Sequence, residues 1–378
     1  MLRHGTASMR AFGSRWHLEI PRRKVVAFNF QALADGVRMA AHRNRTTEWI
    51  HREYLRIGRT FDENVVRQLK RSDLTPDRDA FFAFNTGALE TLQYLRERRV
   101  FTVLDQIDPG KVEEEMVAEE DARWPGWQRF EGRVPQEYWD RMKAEWMAAD
   151  LVVVNSEWSK TALIQQGVPD NKVAIVPVAY EPEFGPVPVP LSKRQGPLTV
   201  LWLGSVILRK GIQYLIEAAK LLKNSDLRIV VAGPIGISEQ AVASAPANMK
   251  FVGRVLRSET HALYESAHVF VLPTVSDGFA VTQVEAMARG LPVITTPNCG
   301  RVVTDGVDGL IVPARDAKAL AAAIARLDSD RALLAEMSHH AFIRSTQFLL
   351  PSQARQVEAA VQSIQESGTA EAPQPVGQ

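Results

Sequence analysis

Asp277 and Glu285 stand eight positions apart in Pro273-Thr274-Val275-Ser276-Asp277-Gly278-Phe279-Ala280-Val281-Thr282-Gln283-Val284-Glu285, a stretch that follows the apolar run Val269 to Leu272. A loop after a buried strand puts Asp277 at the strand's carboxyl end, and a helix over Val281 to Ala288 puts Glu285 one to two turns further on. Carboxylates so disposed suit a hydroxyl-rich ligand, because each accepts hydrogen bonds from sugar or ribose hydroxyls. The amides of Phe279 to Thr282 are free to meet a diphosphate at the helix start. Taken singly, Asp277 reads as a helix cap and Glu285 as a surface residue.

Two further strand-to-helix loops have the composition of ligand contacts. In Gly204-Ser205-Val206-Ile207-Leu208-Arg209-Lys210-Gly211 the glycines let backbone approach a ligand, and Lys210 offers positive potential to a phosphate. The run matches neither the dinucleotide glycine fingerprint nor the P-loop, which makes a dinucleotide dehydrogenase the weaker alternative. Ala232-Gly233-Pro234-Ile235-Gly236 and Val252-Gly253-Arg254-Val255 are tight turns or, together, an edge for a planar base held by backbone groups at Arg254 and Val255.

These loops need an open parallel sheet to hold them. At 378 residues the chain is long enough for two domains. In the first half, short apolar runs at Val25 to Phe30, Ala80 to Asn85, Phe101 to Leu104, Leu151 to Val154 and Val173 to Val176 read as strands. Helices are expected at Gly87 to Arg98, Gln136 to Ala149 and Ser156 to Gln166. Prolines 182, 186, 188 and 190 bar regular structure, so a linker is placed at 181–196 between an N-terminal domain, 1–180, and a C-terminal one, 197–345. Beyond it strand and helix alternate from Thr199 to Leu327, which implies right-handed crossovers and a parallel sheet. A last helix over 350–366, packed back on the N-terminal domain, and a disordered tail over 367–378 complete the expected organisation.

Composition sets limits on partners. A net charge of +1 gives no bias toward nucleic acid. Residues 1–60 hold twelve Lys and Arg against four acidic residues, whereas residues 105–121 hold eight acidic residues against Lys111. Such a pair is two solvated or mutually attracting faces, or a basic surface for peripheral contact with a membrane. A single cysteine, Cys299, forbids an intrachain disulfide and suggests a reducing, cytoplasmic compartment. Five tryptophans, 124, 127, 139, 146 and 158, fall within 35 positions. They read as core or interdomain packing, with a stacking platform as the alternative.

The chain resembles the family 4 glycosyltransferases, retaining enzymes of the GT-B fold with two Rossmann-like domains facing across a cleft. The resemblance covers about residues 142–330. It rests on Asp150-Leu151-Val152-Val153-Val154-Asn155-Ser156, the Lys210-Gly211 loop, Phe251-Val252-Gly253, Asp277-Gly278-Phe279, Glu285-Ala286-Met287-Ala288-Arg289-Gly290-Leu291-Pro292-Val293-Ile294 and Asp308-Gly309-Leu310-Ile311-Val312. It implies that Glu285 binds the ribose, that Asp277 takes the first position of the E-x7-E motif on the donor sugar, and that Lys210 neutralises the diphosphate. Gly278, Phe279, Ala280 and Val281 would present amides, with Gly204, Ser205, Arg209, Gly233, Arg254 and Val255 completing the donor site. Ser205 stands where the family usually has arginine, and Arg209 is the candidate substitute. The family's glycine-rich first loop is not recognisable in Met1 to Lys24, and Asp105-Gln106-Ile107-Asp108 stands where the acceptor-side histidine is usual.

The expected activity is transfer of a hexose from a UDP- or GDP-sugar to a hydroxyl acceptor, whether glycan, lipid or small molecule, with no metal and no cofactor. The alternative is a catalytically weak nucleotide-sugar-binding partner of another transferase.

Overall fold

The computed structural model describes residues 20–43, 45–76, 78–128, 132–181 and 196–370. The first unit contains α1 (Asn29–Ala41), α2 (Thr47–Leu69), β1 (Ala80–Phe84), α3 (Leu89–Arg96), β2 (Phe101–Gln106), α4 (Lys111–Arg123), α5 (Gln136–Ala148), β3 (Leu151–Val154), α6 (Glu157–Gln165) and β4 (Val173–Ile175). Its four strands pair in the order β1-β2-β3-β4, all parallel. Leu151 to Val154 are buried on both faces, as a continuous Val/Leu run between covering helices requires.

The second unit runs through β5 (Leu198–Leu203), α7 (Ile212–Leu221), β6 (Leu227–Ala232), α8 (Glu239–Ala243), β7 (Met249–Gly253), α9 (Arg257–Ser266), β8 (Val269–Leu272), α10 (Thr282–Met287), β9 (Val293–Thr295), β10 (Gly309–Ile311), α11 (Ala317–Ser329) and α12 (Arg331–Ser345). Its six parallel strands lie in the order β10-β9-β8-β5-β6-β7. The chain thus leaves β5 in one direction through β6 and β7, then returns to β5's other side with β8. The crevice between β5 and β8 is the topological switch point, where open α/β sheets bind ligands. One apolar cluster around Trp202, Ile216 and Ile324 and another around Phe270, Phe279 and Met287 cover the two faces of this sheet.

A final helix, α13 (Leu350–Ala370), lays Val357, Ala360, Val361 and Ile364 against Val103, Leu151, Val153 and Val176 of the first sheet. The chain crosses back to its N-terminal unit, and the helix continues past residue 366. Most of the linker, 182–195, and the tail from 371 lie outside the described residues, as do residues 1–19 of the basic N-terminal segment.

The strand expected over Val25 to Phe30 is absent: Val25 and Val26 are exposed, and α1 begins at Asn29. A six-residue apolar run fits a helix start as well as a strand, and here Phe28 sets its ring edge-on to Phe61 of α2, at 5.6 Å. The basic segment is partly neutralised within its own unit. Arg38 pairs with Glu53, Arg56 with Asp35 and Glu53, Arg52 with Glu48 and Glu137, and Arg59 with Glu90.

The acidic segment finds its partners elsewhere, because α4 is the seam between the units. Glu120, fully buried, accepts from Gln213 Nε2 at 2.8 Å and the Tyr214 hydroxyl at 2.7 Å, and pairs with Arg315 at 2.7 Å. Past the end of α4, the Trp124 and Trp127 rings meet at 4.7 Å, and Trp124 sits edge-on to Tyr214. The Trp127 carbonyl accepts from the Ser238 amide at 2.6 Å. Trp146 lies instead in the first unit's core and donates to Gln106 Oε1 at 2.9 Å.

Candidate functional site

The two loops that flank the switch point are stitched to each other. After β5 the backbone turns through Leu208–Lys210 into Gly211, whose φ of 76° is left-handed. A Cβ there would lie 1.8 Å from the Pro273 carbonyl oxygen, so only glycine lets the β5 loop lie against the end of β8. The Arg209 carbonyl then accepts from the Val275 amide at 2.9 Å and the Thr274 hydroxyl at 3.1 Å. These bonds carry the Lys210 ammonium onto the Asp277 carboxylate, the closest ion pair in the site.

Lys210 and Asp277 are both largely buried. Burial, and then the neighbouring Arg209 guanidinium, push the Lys210 ammonium down to about 8, while Glu113 opposes the shift. Arg209 Nη1 donates to the Ser276 carbonyl at 3.1 Å and pairs with Glu113 Oε2 at 3.2 Å, with Asp277 at 3.9 Å.

Beyond Asp277 the chain presses on the first unit. A Cβ on Gly278 would fall 2.1 Å from the Ile107 carbonyl, the same oxygen that accepts from Asn155 Nδ2 at 2.7 Å. The Phe279 ring is buried against Phe348, and its carbonyl accepts from Gln283 Nε2 at 3.0 Å. Ala280 takes a φ of 61°, unusual for a residue with a Cβ, before Val281 enters α10. Among the described residues the amides of Gly278, Phe279, Ala280 and Val281 have no hydrogen-bond partner.

Glu285 occupies a separate recess. It accepts from the Tyr264 hydroxyl at 2.8 Å and lines a cavity of about 180 Å³ with Arg257, Thr260 and Arg289. No hydrogen bond or ion pair joins it to Asp277 or Lys210 among the described residues. Burial, and then the Glu285 carboxylate, hold the Tyr264 phenol well above its ordinary range.

The remaining residues divide. Gly233 would place a Cβ 1.7 Å from the Gly204 carbonyl, so these two backbones touch where the β5 and β6 loops leave the sheet. Ser205 is exposed, with no side-chain hydrogen bond among the described residues. Arg254 is exposed beside Val255, which leans on the core, and no described contact brings Arg254 to Lys210 or Asp277.

Glu113 is the site residue that the motifs did not single out. From α4 its Oε2 accepts from the Ser276 hydroxyl at 2.8 Å as well as from Arg209, and Trp158 Nε1 reaches the same Ser276 oxygen at 3.0 Å. Burial raises its carboxyl and Arg209 partly counters the rise. Glu113 also lines a cavity of about 520 Å³ together with Asp108, Glu114, Asp121, Tyr138 and Trp139, and Gly236 of the second unit is in its wall. The only signal in the sequence was the acidic run around it.

Residues 197–330 match the family Glycosyl transferases group 1. The match spans the six-stranded unit from β5 to α11. The chain is 29% identical over 197 residues to the amylovoran biosynthesis glycosyltransferase AmsK of Erwinia amylovora, covering 48% of each chain. It is 31% identical over 202 residues to the putative colanic acid biosynthesis glycosyltransferase WcaL of Escherichia coli, covering 48% of this chain and 49% of that one. The chain spans about half the length of the curated relatives it matches.

Solved structures extend the likeness over both units and show the GT-B fold. A sucrose-phosphate synthase from Thermosynechococcus elongatus aligns with a TM-score of 0.63 at 20% identity, covering 83% of this chain and 79% of that one. HepE of Anabaena, solved in complex with UDP, aligns at 0.57 and 19% identity, covering 80% and 81%. The unit that matches group 1 therefore supplies the loops with Lys210, Asp277 and the amides that have no partner among the described residues, and the first unit supplies Glu113 and most of the wall of the larger cavity.

Proposed function

We propose that the protein transfers a hexose from a UDP- or GDP-sugar to a hydroxyl acceptor, with retention of configuration and without a metal or cofactor. The observation that carries this reading is the meeting of Lys210 and Asp277 at the switch point of the unit that matches group 1, beside four amides with no partner among the described residues. Lys210 and the amides of Gly278 to Val281 receive the diphosphate, Asp277 the sugar hydroxyls, and Glu285, in its recess, the ribose hydroxyls. The UDP and UDP-glucose of the HepE structures support a nucleotide-sugar donor.

In this scheme the bond from the sugar's anomeric carbon to the phosphate oxygen breaks while the bond to the acceptor oxygen forms. The departing phosphate oxygen takes the acceptor's proton. The residues act by placing the two substrates and by meeting the charge that grows on the diphosphate. Lys210, with Arg209 beside it, supplies positive charge where a divalent cation would otherwise be needed.

A second reading, a nucleotide-sugar-binding partner without turnover, draws on Ser205 and on the pairing of Arg209 with Glu113 and of Lys210 with Asp277. Incubation with labelled UDP- and GDP-sugars separates the two. Release of free sugar, or transfer to any acceptor, supports the transferase. Binding without either supports the partner, and absence of binding sinks both. A thermal-shift series over UDP, GDP and ADP names the base, since a ligand of the folded state raises stability by mass action.

A further inference from the structure

We propose that Glu113 joins acceptor to donor, holding the acceptor's reacting hydroxyl through Oε1 while Oε2 stays tied to the donor loops, and that the acceptor moiety entering its cavity is an uncharged, hydroxylated ring. The inference rests on the transferase reading above and adds to it a residue and a substrate class.

Three observations lead there. Oε2 already takes two bonds, from Ser276 and Arg209, so the carboxylate is fixed at the lip of the donor loops. Oε1 has no hydrogen-bond partner among the described residues, and Glu113 lines the 520 Å³ cavity, which is of the size that takes a small ligand. The walls of that cavity are the third. Asp108 and Asp121 add carboxylates to it, and burial raises both. Glu114 is already engaged by the Val134 amide at 2.7 Å and Trp139 Nε1 at 2.9 Å. Among the described lining residues Arg133, which is exposed, is the one lysine or arginine, and His51 the one histidine.

A phosphate or carboxylate on the acceptor would push these already raised carboxyls further up and finds no buried lysine or arginine among the described lining residues to meet it. A neutral sugar or polyol instead offers hydroxyl donors to these acceptors and an apolar ring face to Tyr138 and Trp139. Glu113 also competes with the donor's diphosphate for Arg209. Removing its charge therefore acts in opposite directions on the two substrates, which a purely structural residue would not do.

The test uses the full chain and two readouts. Calorimetry follows UDP and GDP; saturation-transfer NMR on the chain saturated with the tighter nucleotide follows methyl α-glucoside and glucose 6-phosphate. For Glu113→Gln we expect nucleotide binding several-fold tighter and methyl glucoside binding at least tenfold weaker, with glucose 6-phosphate silent on the wild-type chain. Asp121→Asn, which leaves the Glu113 contacts intact, should allow some glucose 6-phosphate to bind. Parallel loss of both ligands in Glu113→Gln makes the residue structural and overturns the proposal. So does glucose 6-phosphate binding to wild type as well as the neutral sugar, or no binding of the neutral sugar. Wild type that binds neither nucleotide brings down the transferase reading itself, a result distinct from those three.

Discussion

Lys210 is held in two opposed relations. Its burial and Arg209 favour the neutral amine, whereas Asp277 and an arriving diphosphate favour the ammonium. Since the pKa lies at about 8, below the ordinary lysine value, the proton is lost as pH rises through 8, and donor affinity falls with it. Titrating UDP or GDP at a series of pH values on either side of 8 should show this decline, and a bound diphosphate should move the inflection upward. Lys210→Met removes the inflection together with about 2 kcal/mol or more of donor binding. Glu285 sits in its own recess, bonded to the Tyr264 hydroxyl and apart from Lys210 and Asp277. Glu285→Gln keeps the shape but trades a charged acceptor for a neutral one, and about 1.5 kcal/mol of nucleotide affinity should go with it in the same titration.

At the scale of elements, the site depends on how closely β5 and β8 let their following loops approach. Gly211→Ala meets both a left-handed φ and the Pro273 carbonyl. We expect a loss of at least about 2 kcal/mol in denaturant melts, with donor binding lost beyond what the melt accounts for, because the Lys210 and Asp277 loops part. This neighbourhood was legible from local order. Apolar runs of strand length followed by glycine-rich turns located both loops, and the position of each after a strand foretold that they would open on one crevice. Glu113 was not legible in that way. Its bonds to Arg209 and Ser276 span 96 and 163 positions, and an acidic helix gives no sign of which partner it will meet. Val25 to Phe30 failed for the opposite reason, since a short apolar run has the same periodicity in two structures and only the packing of Phe28 on Phe61 decides between them.

Across the whole molecule α4 does the joining. Glu120 gathers Gln213, Tyr214 and Arg315 of the second unit around one buried carboxylate. Removing it leaves the buried Tyr214 hydroxyl without its acceptor and Arg315 with Glu119 alone, while Gln213 keeps the Leu208 carbonyl. Glu120→Ala should split one calorimetric unfolding transition into two, each unit melting for itself. A single unchanged transition would show that α13, which crosses back onto the first sheet, suffices to couple them.

The first sheet ends at β1, whose Ala-Phe-Phe-Ala-Phe sequence has no charge and no proline, with Phe82 43% and Phe84 65% exposed. A cavity of about 460 Å³ opens between it and α2. Among the described residues β1 pairs only with β2, and an uncharged strand with one row of peptide groups unmatched is a template for any other extended chain. In a concentrated preparation that makes β1 the first point of colloidal instability. Light scattering should rise with protein concentration, and Phe84→Lys should suppress the rise while leaving nucleotide binding as it was.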